Sequence, residues 1–292
     1  MRSVMVVVWA GVLALNIGAA RAQGVAVDLE LILAVDISQS VDPFEAYMQR
    51  QGYVRALSDP QVIEAIQSGY HGRIAITYIE WGGPRIWITI ADWRLISSEE
   101  DAIGFSQTLG TEMLTRGTGT SISGVLAYAS TLFNASGFHG ERRVIDISGD
   151  GPNSSGGIVS YARDDVVAAG ITVNGLAINN FEGGLFSLPD LDVYYQECVV
   201  GGPGAFVVAA DGFESFAEAI LRKLILEIAD APPPTNARQG YPQVLLVQAP
   251  PGPFLAPQKY APECDIGERM RLLNNPGLRN PNLFNDPDAP PP

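Results

Sequence analysis

Apolar positions along the chain fall into short continuous runs separated by amphipathic stretches, the rhythm of an alternating α/β protein. Residues 29–35, LELILAV, are the first run. Strands covered on both faces of a parallel sheet read this way, whereas half-exposed strands alternate. Residues 43–57 predict a helix, with Asp42 as N-cap, Pro43 at the first helical position and Glu45 close behind. A shorter helix is predicted over 60–67. Residues 72–81 and 85–90 are rich in β-branched and aromatic side chains and flank Gly82-Gly83-Pro84, which predicts an antiparallel hairpin. Ser98-Glu99-Glu100-Asp101 opens an acidic helix start that runs to about Gly110. Val125, Leu126, Ala129 and Phe133 share helical spacing. Strands follow over 141–148 and 171–178 with a helix over 159–169 between them. A stretch over 191–198, a Gly-rich loop at Gly201-Gly202-Pro203-Gly204, a short strand over 205–208 and an amphipathic helix over 213–229 complete the series. Strand alternating with helix predicts an α/β fold: a doubly wound, mostly parallel sheet with one antiparallel edge strand and helices on both faces.

The two ends depart from this rhythm. Residues 1–22 carry Arg2, an apolar stretch over 4–20 and Ala20-Arg21-Ala22, the form of a secretory signal peptide cleaved after Ala22. The apolar stretch is short for a membrane span, so an uncleaved anchor is the weaker alternative. No second stretch of spanning length is free of Gly, Pro or charge. Fifteen of the 21 prolines lie in 231–292, so that region reads as a Pro-rich C-terminal extension, in which only Val244-Leu245-Leu246-Val247 looks able to pair or pack. The expected organisation is therefore a signal peptide over 1–22, one domain over 27–230 and an extension over 231–292, in a periplasmic or secreted protein.

Charge narrows the function. The chain carries −14, and removal of residues 1–22, with two Arg and no acid, deepens this further. Nucleic acid is excluded as a partner, because phosphate binding needs clustered Lys and Arg. The two cysteines, Cys198 and Cys264, in an exported chain make a disulfide the expected pairing, with two free thiols the alternative.

Candidate chemistry sits where predicted strands end. Asp36-Ile37-Ser38-Gln39-Ser40 places a carboxylate and two hydroxyls at alternate positions between a buried strand and a helix. Open α/β sheets bind ligands at that edge. A Gly/Thr/Ser loop with Thr118 and Thr120 runs into the helix bearing Val125, and Asp150 follows the strand over 141–148, flanked by Gly149 and Gly151. Oxygen ligands of this kind suit a hard cation such as Mg²⁺. A serine-rich helix cap would account for the first of these loops alone, but not for three.

These three loops resemble the metal-ion-dependent adhesion site (MIDAS) of von Willebrand factor type A (vWA) domains: D-x-S-x-S after the first strand, a Thr in a later Gly/Thr loop and an Asp-Gly after the fourth strand. The matching positions are Asp36, Ser38, Ser40, Thr120 and Asp150; Thr120 is preferred to Thr118 because Thr120-Ser121-Ile122 leads directly into the helix, as the family's loop does. More narrowly, VDLELILAVDISQSVD, ERRVIDISGDGPN and CVVGGPGAFV resemble a bacterial family of exported proteins of this fold, the DUF1194 group. The resemblance implies Mg²⁺ (or Mn²⁺) held by the Ser38, Ser40 and Thr120 hydroxyls, with Asp36 and Asp150 close by and an open position for a carboxylate of a protein partner. It implies adhesion-type protein binding rather than catalysis. Ser148-Gly149 precedes Asp150 where many members have a Thr beside the Asp.

The rival reading is a haloacid-dehalogenase-like Mg²⁺-dependent phosphatase, favoured by Gly149-Asp150-Gly151-Pro152-Asn153. That family needs an acid two residues after its nucleophile, where Ser38 stands, and a Lys between the motifs, whereas no Lys precedes Lys223. A serine hydrolase lacks G-x-S-x-G around Ser148, and His71 and His139 each precede a predicted strand. Trp81, Trp87 and Trp93 read as strand packing rather than a sugar-binding face. Tyr194-Tyr195-Gln196-Glu197-Cys198 reads as a loop anchored by a disulfide.

Overall fold

The computed structural model describes residues 24–179, 188–230, 243–247 and 263–274. The signal peptide expected over 1–22, and all of the extension over 231–292 except two short stretches, lie outside the described residues. The elements are β1 (Val25–Asp36), α1 (Pro43–Leu57), α2 (Pro60–Gln67), β2 (Ile74–Trp81), β3 (Trp87–Ile96), α3 (Glu99–Thr111), α4 (Ile122–Leu132), β4 (Phe138–Gly149), α5 (Val159–Ala168), β5 (Thr172–Asn179), α6 (Leu191–Tyr194), β6 (Phe206–Asp211), α7 (Phe216–Ile228), β7 (Gln243–Val247) and α8 (Ile266–Asn274). The strands form one seven-stranded sheet in the order β3-β2-β1-β4-β5-β6-β7. All neighbours pair in parallel except β2 and β3, the antiparallel edge hairpin.

β1 occupies the middle because both its faces are apolar. Leu29, Leu31, Leu33 and Val35 pack on one side with residues of α1, α2, α3 and α7, whereas Ile32 and Ala34 pack on the other with residues of α4 and α5. Fully burying one such side chain contributes about 1.5–3 kcal/mol. Strand order reverses around β1: the chain passes from β1 outward to β2, then returns past β1 to β4 on its far side. The loops after β1 and β4 therefore diverge to opposite faces and leave a crevice between them, the place where doubly wound sheets bind ligands.

Several boundaries differ from expectation. β3 runs to Ile96 rather than stopping at Ile90, because Asp92 and Arg94 alternate outward on a solvent-facing edge strand and break the apolar run. β4 begins at Phe138, so His139 lies inside a strand, paired with Ala26, rather than ahead of one. Within 231–292, residues 243–247 pair with β6 as the sheet's last strand. α8 was not anticipated: in the sequence only 244–247 stood out as able to pack, yet residues 263–274 also dock. The tryptophans pack: Trp81 is buried, Trp87 stacks on Tyr128 with centroids 4.7 Å apart, and Trp93 lies against Phe133. Cys198 and Cys264 form a disulfide with their Cα atoms 5.4 Å apart. Among the described residues, no helix is long and apolar enough to cross a membrane.

Candidate metal centre

At the end of β1 the chain turns on its own side chain. The Asp36 carboxylate accepts the Ser38 amide through Oδ1 at 2.7 Å. This Asx turn brings the Ser38 and Ser40 hydroxyls to 3.0 Å of each other, and Ser40 donates to Asp150 Oδ1 at 2.7 Å. Asp150 is in reach because β4 lies parallel to β1, with Ser148 paired to Val35. The residue between them must be glycine: a β-carbon on Gly149 would stand 3.0 Å from Asp36 Oδ2. Beyond the turn, Asp42 caps α1 by accepting from the Phe44 and Glu45 amides, while Glu45 returns a bond to the Asp42 amide. This fixes where the D-x-S-x-S segment ends.

The Gly/Thr loop is stitched into the same edge by its backbone. Gly117 donates to the Ile37 carbonyl at 2.7 Å and Ser121 to the Gly82 carbonyl at 2.8 Å. The Thr120 carbonyl accepts the Ser154 and Ser155 amides, at 3.0 and 3.1 Å, from the loop after Asp150. Thr120 is half-buried and Thr118 exposed. A buried ion pair steadies the loop from below: Glu80 on β2 takes the Arg50 guanidinium and the Thr115 hydroxyl, and Arg50 also donates to the Leu109 carbonyl at 2.8 Å. Asp36, Ser38, Ser40 and Asp150 thus form one hydrogen-bonded cluster, and the Gly/Thr loop is tied to the turns on both sides, by Gly117 to Ile37 and by Thr120 to Ser154 and Ser155.

The cluster is short of positive charge. Asp36 is fully buried, and its Oδ2 has no hydrogen-bond partner among the described residues. Burial first, then the charge of Asp150, pushes the Asp36 carboxyl well above its ordinary range. Burial also pushes Asp150 up to about 6, with Glu45 adding to the rise and the Ser40 hydroxyl opposing it. No group of three or more His, Cys, Asp or Glu side chains among the described residues could hold a metal ion. Any cation here would rest on hydroxyls supported by two carboxylates. The hydroxyls fit Mg²⁺ or Mn²⁺: the edge of an octahedron with bonds of about 2.1 Å is about 3.0 Å, the spacing of the Ser38 and Ser40 hydroxyls.

Two further residues brace the site. Asn153 ties the Asp150 loop to three other parts of the molecule: its Oδ1 accepts the Ser123 amide at the start of α4, its amide N–H donates to the Tyr194 hydroxyl, and its Nδ2 donates to Glu268 on α8 at 2.5 Å. Tyr194 in turn donates to the Cys264 carbonyl, and Arg271 to the Ser154 carbonyl. The second is Tyr195, fully buried against the sheet behind Asp36. The sequence carries Asn153 in Gly149-Asp150-Gly151-Pro152-Asn153 and Tyr195 in the paired tyrosine ahead of Cys198.

The strand order and the antiparallel β3 give the chain a vWA-like α/β fold. The chain belongs to the DUF1194 family, described as "Protein of unknown function (DUF1194)", which matches over residues 26–232. No curated protein matches the chain. Among solved structures it is similar to the pilus adhesin SpaC of Lactobacillus rhamnosus GG in its open conformation: 15% identity and a TM-score of 0.51, over 72% of this chain and 31% of that one. It is also similar to proximal thread matrix protein 1 of the mussel byssus, at 15% identity and a TM-score of 0.50, over 71% of this chain and 48% of that one. A von Willebrand factor type A structure from Catenulispora acidiphila aligns at 13% identity and a TM-score of 0.47, over 70% of this chain and 43% of that one. The chain thus spans less than half the length of each of these.

Proposed function

We propose that the chain is an exported protein-binding module that works through a divalent cation, Mg²⁺ or Mn²⁺, at Asp36, Ser38, Ser40, Thr120 and Asp150. The observation that carries this reading is the pair of buried carboxylates, Asp36 and Asp150, beside the two serine hydroxyls. Two desolvated carboxylates side by side are unfavourable unless protonated or neutralised, and a cation supplies the missing charge. The Ser38, Ser40 and Thr120 hydroxyls would be the direct ligands, with Asp36 and Asp150 orienting them and balancing charge. Neutral ligands leave the cation electrophilic enough to take a carboxylate from a protein partner. The adhesin and the byssus matrix protein that share the fold are in keeping with such binding. The Cys198–Cys264 disulfide supports export, since such bonds persist in oxidising compartments.

The phosphatase alternative loses its cation. Lys223, the one lysine in 27–230, is fully buried and paired with Asp146, so it cannot reach a phosphate.

The test is thermal unfolding of the protein in EDTA, Mg²⁺, Mn²⁺ or Ca²⁺, beside Asp36→Ala. A ligand that binds only the folded state raises its apparent stability. Mg²⁺ or Mn²⁺ should raise the midpoint of the wild type and leave the variant unmoved. Because Asp36 is a buried carboxylate that nothing neutralises in EDTA, the variant should keep most of its stability there. A metal response that survives in Asp36→Ala would refute the assignment.

The same site should shape the pH profile. Asp36 and Asp150 titrate higher in the folded chain than in the unfolded one, so the folded state holds their protons more tightly. Their contribution to stability is full below about pH 4, the ordinary carboxylate range. It is lost as pH rises through about 6 for Asp150, and Asp36, raised well above its ordinary range, acts in the same direction. Asp146, at about 7, acts in the same direction but away from the metal. Melting in EDTA should therefore weaken from pH 4 to 7, and saturating Mg²⁺ should restore the share due to Asp36 and Asp150. The Mg²⁺-induced rise should grow between pH 5 and 7; a rise of constant size across that range would contradict this picture.

A further inference from the structure

A single tyrosine reaches the metal centre from behind. Tyr195 opens a π-helical turn, Tyr195–Val199, that continues α6 and contains Cys198. Such turns are rare and cluster at functional sites. The ring lies against the backbones of two adjacent strands, and each strand offers it a glycine. A β-carbon on Gly175 of β5 would stand 2.8 Å from Tyr195 Cδ1, and one on Gly149 of β4 would stand 2.8 Å from the Tyr195 hydroxyl. Glycine inside a strand commonly marks such close approach. Gly175 is paired with Ile147, two residues before Gly149, so the two glycines clear one track across the sheet. The track ends at Asp36: the point where a Gly149 β-carbon would sit is 2.8 Å from the Tyr195 hydroxyl and 3.0 Å from Asp36 Oδ2. Both oxygens are buried, and neither has a hydrogen-bond partner among the described residues.

We propose that Tyr195 is a positioning residue for the metal centre, its hydroxyl serving as the hydrogen-bond donor to Asp36 Oδ2 in the metal-loaded protein. This rests on the metal reading given above. A carboxylate that turns one oxygen toward a cation's ligands needs its other oxygen satisfied, and in this buried place only a neutral donor does so without adding charge. Burial, reinforced by the Asp36 charge, pushes the Tyr195 phenol well above its ordinary range, so it remains protonated and able to donate. Outer-shell partners of this kind hold ligands in orientation, and their removal typically weakens metal affinity by about 10–100-fold.

Tyr195→Phe keeps the ring on its glycine track and removes only the hydroxyl. Calorimetric titration with Mg²⁺ and with Mn²⁺ should give at least about a tenfold weaker affinity than wild type. The midpoint in EDTA should be unchanged or slightly raised, because the change deletes a buried hydroxyl that is unpaired without metal. An unchanged affinity beside a responsive wild type overturns the role of Tyr195 while leaving the metal site intact. A lowered midpoint in EDTA with unchanged affinity makes Tyr195 a packing residue only, and also overturns it. If the wild type itself binds neither ion, the metal reading fails and this inference fails with it.

Discussion

Replacing Lys223 with Met should lower the unfolding free energy by about 3–5 kcal/mol near neutral pH, the largest effect expected of any single substitution in the domain. Lys223 is fully buried in α7. Its Nζ lies 2.6 Å from Asp146 Oδ2 on β4 and 3.5 Å from both oxygens of Glu227 one helical turn on. Asn174 on β5 donates to Glu227 at 2.6 Å and accepts the Phe206 amide of β6. Three strands are thus tied to α7 through a cluster with one cation and two carboxylates. Burial chiefly pushes Asp146 up to about 7, Glu227 adding to the rise while Lys223 pulls the other way. Removing the lysine strands two facing carboxylates in the core. The loss should shrink as pH falls, because Asp146 can then be protonated. Asp146→Asn in the Lys223→Met background should recover part of it, since one buried charge goes. Denaturant unfolding of the two single variants and the double variant measures this coupling. Additive losses would mean that the lysine acts through packing alone.

How much of this was legible depends on how far apart the interacting residues are. β1 announced itself because both its faces are buried and its apolar run is unbroken. The Asp36, Ser38 and Ser40 cluster was legible for the same local reason: three side chains at alternate positions in one turn. Asp150 could be placed because a strand with a recognisable end precedes it. The Asp146–Lys223–Glu227 cluster was hidden, although an acid inside VIDIS and one of only two lysines were both visible, because nothing in the sequence joins positions so far apart. Tyr195 failed likewise: its role depends on Gly149 and Gly175, each of which looks like an ordinary glycine alone. β3 was cut short because an edge strand needs only half its positions apolar. α8 escaped because nine residues are marginal as an isolated helix, and its order comes from a covalent tether and a docking surface rather than from propensity.

That tether carries the second large effect. The Cys198–Cys264 bond closes a segment with a sequence separation of 66. In the chain-entropy account, a loop of this length restrains the unfolded chain by about 4 kcal/mol. A Cys198→Ala/Cys264→Ala double variant should therefore melt on the order of 10 °C lower. Its second consequence is local. Cys264 anchors α8, whose Glu268 and Arg271 hold Asn153 and Ser154, and a β-carbon on Gly267 would overlap the Asn153 carbonyl. α8 is pressed directly onto the loop that carries Asp150. Without the bond α8 holds by Ile266, partly buried against the core, and by a few polar contacts, each of the latter worth about 0.5–1.5 kcal/mol, set against the entropy of ordering the helix. α8 should leave, and the loop over 150–157 should loosen. Hydrogen exchange reads this at the Ser154 and Ser155 amides, which donate to the Thr120 carbonyl. Their protection should fall by more than the global loss of stability accounts for, in the double variant and equally in reduced wild type. If protection falls only in step with global stability, the disulfide is a staple for the unfolded chain and α8 does not brace the candidate metal centre. If it falls further, the covalent bond and the site are one mechanical unit, and a reducing environment weakens the site before it unfolds the domain.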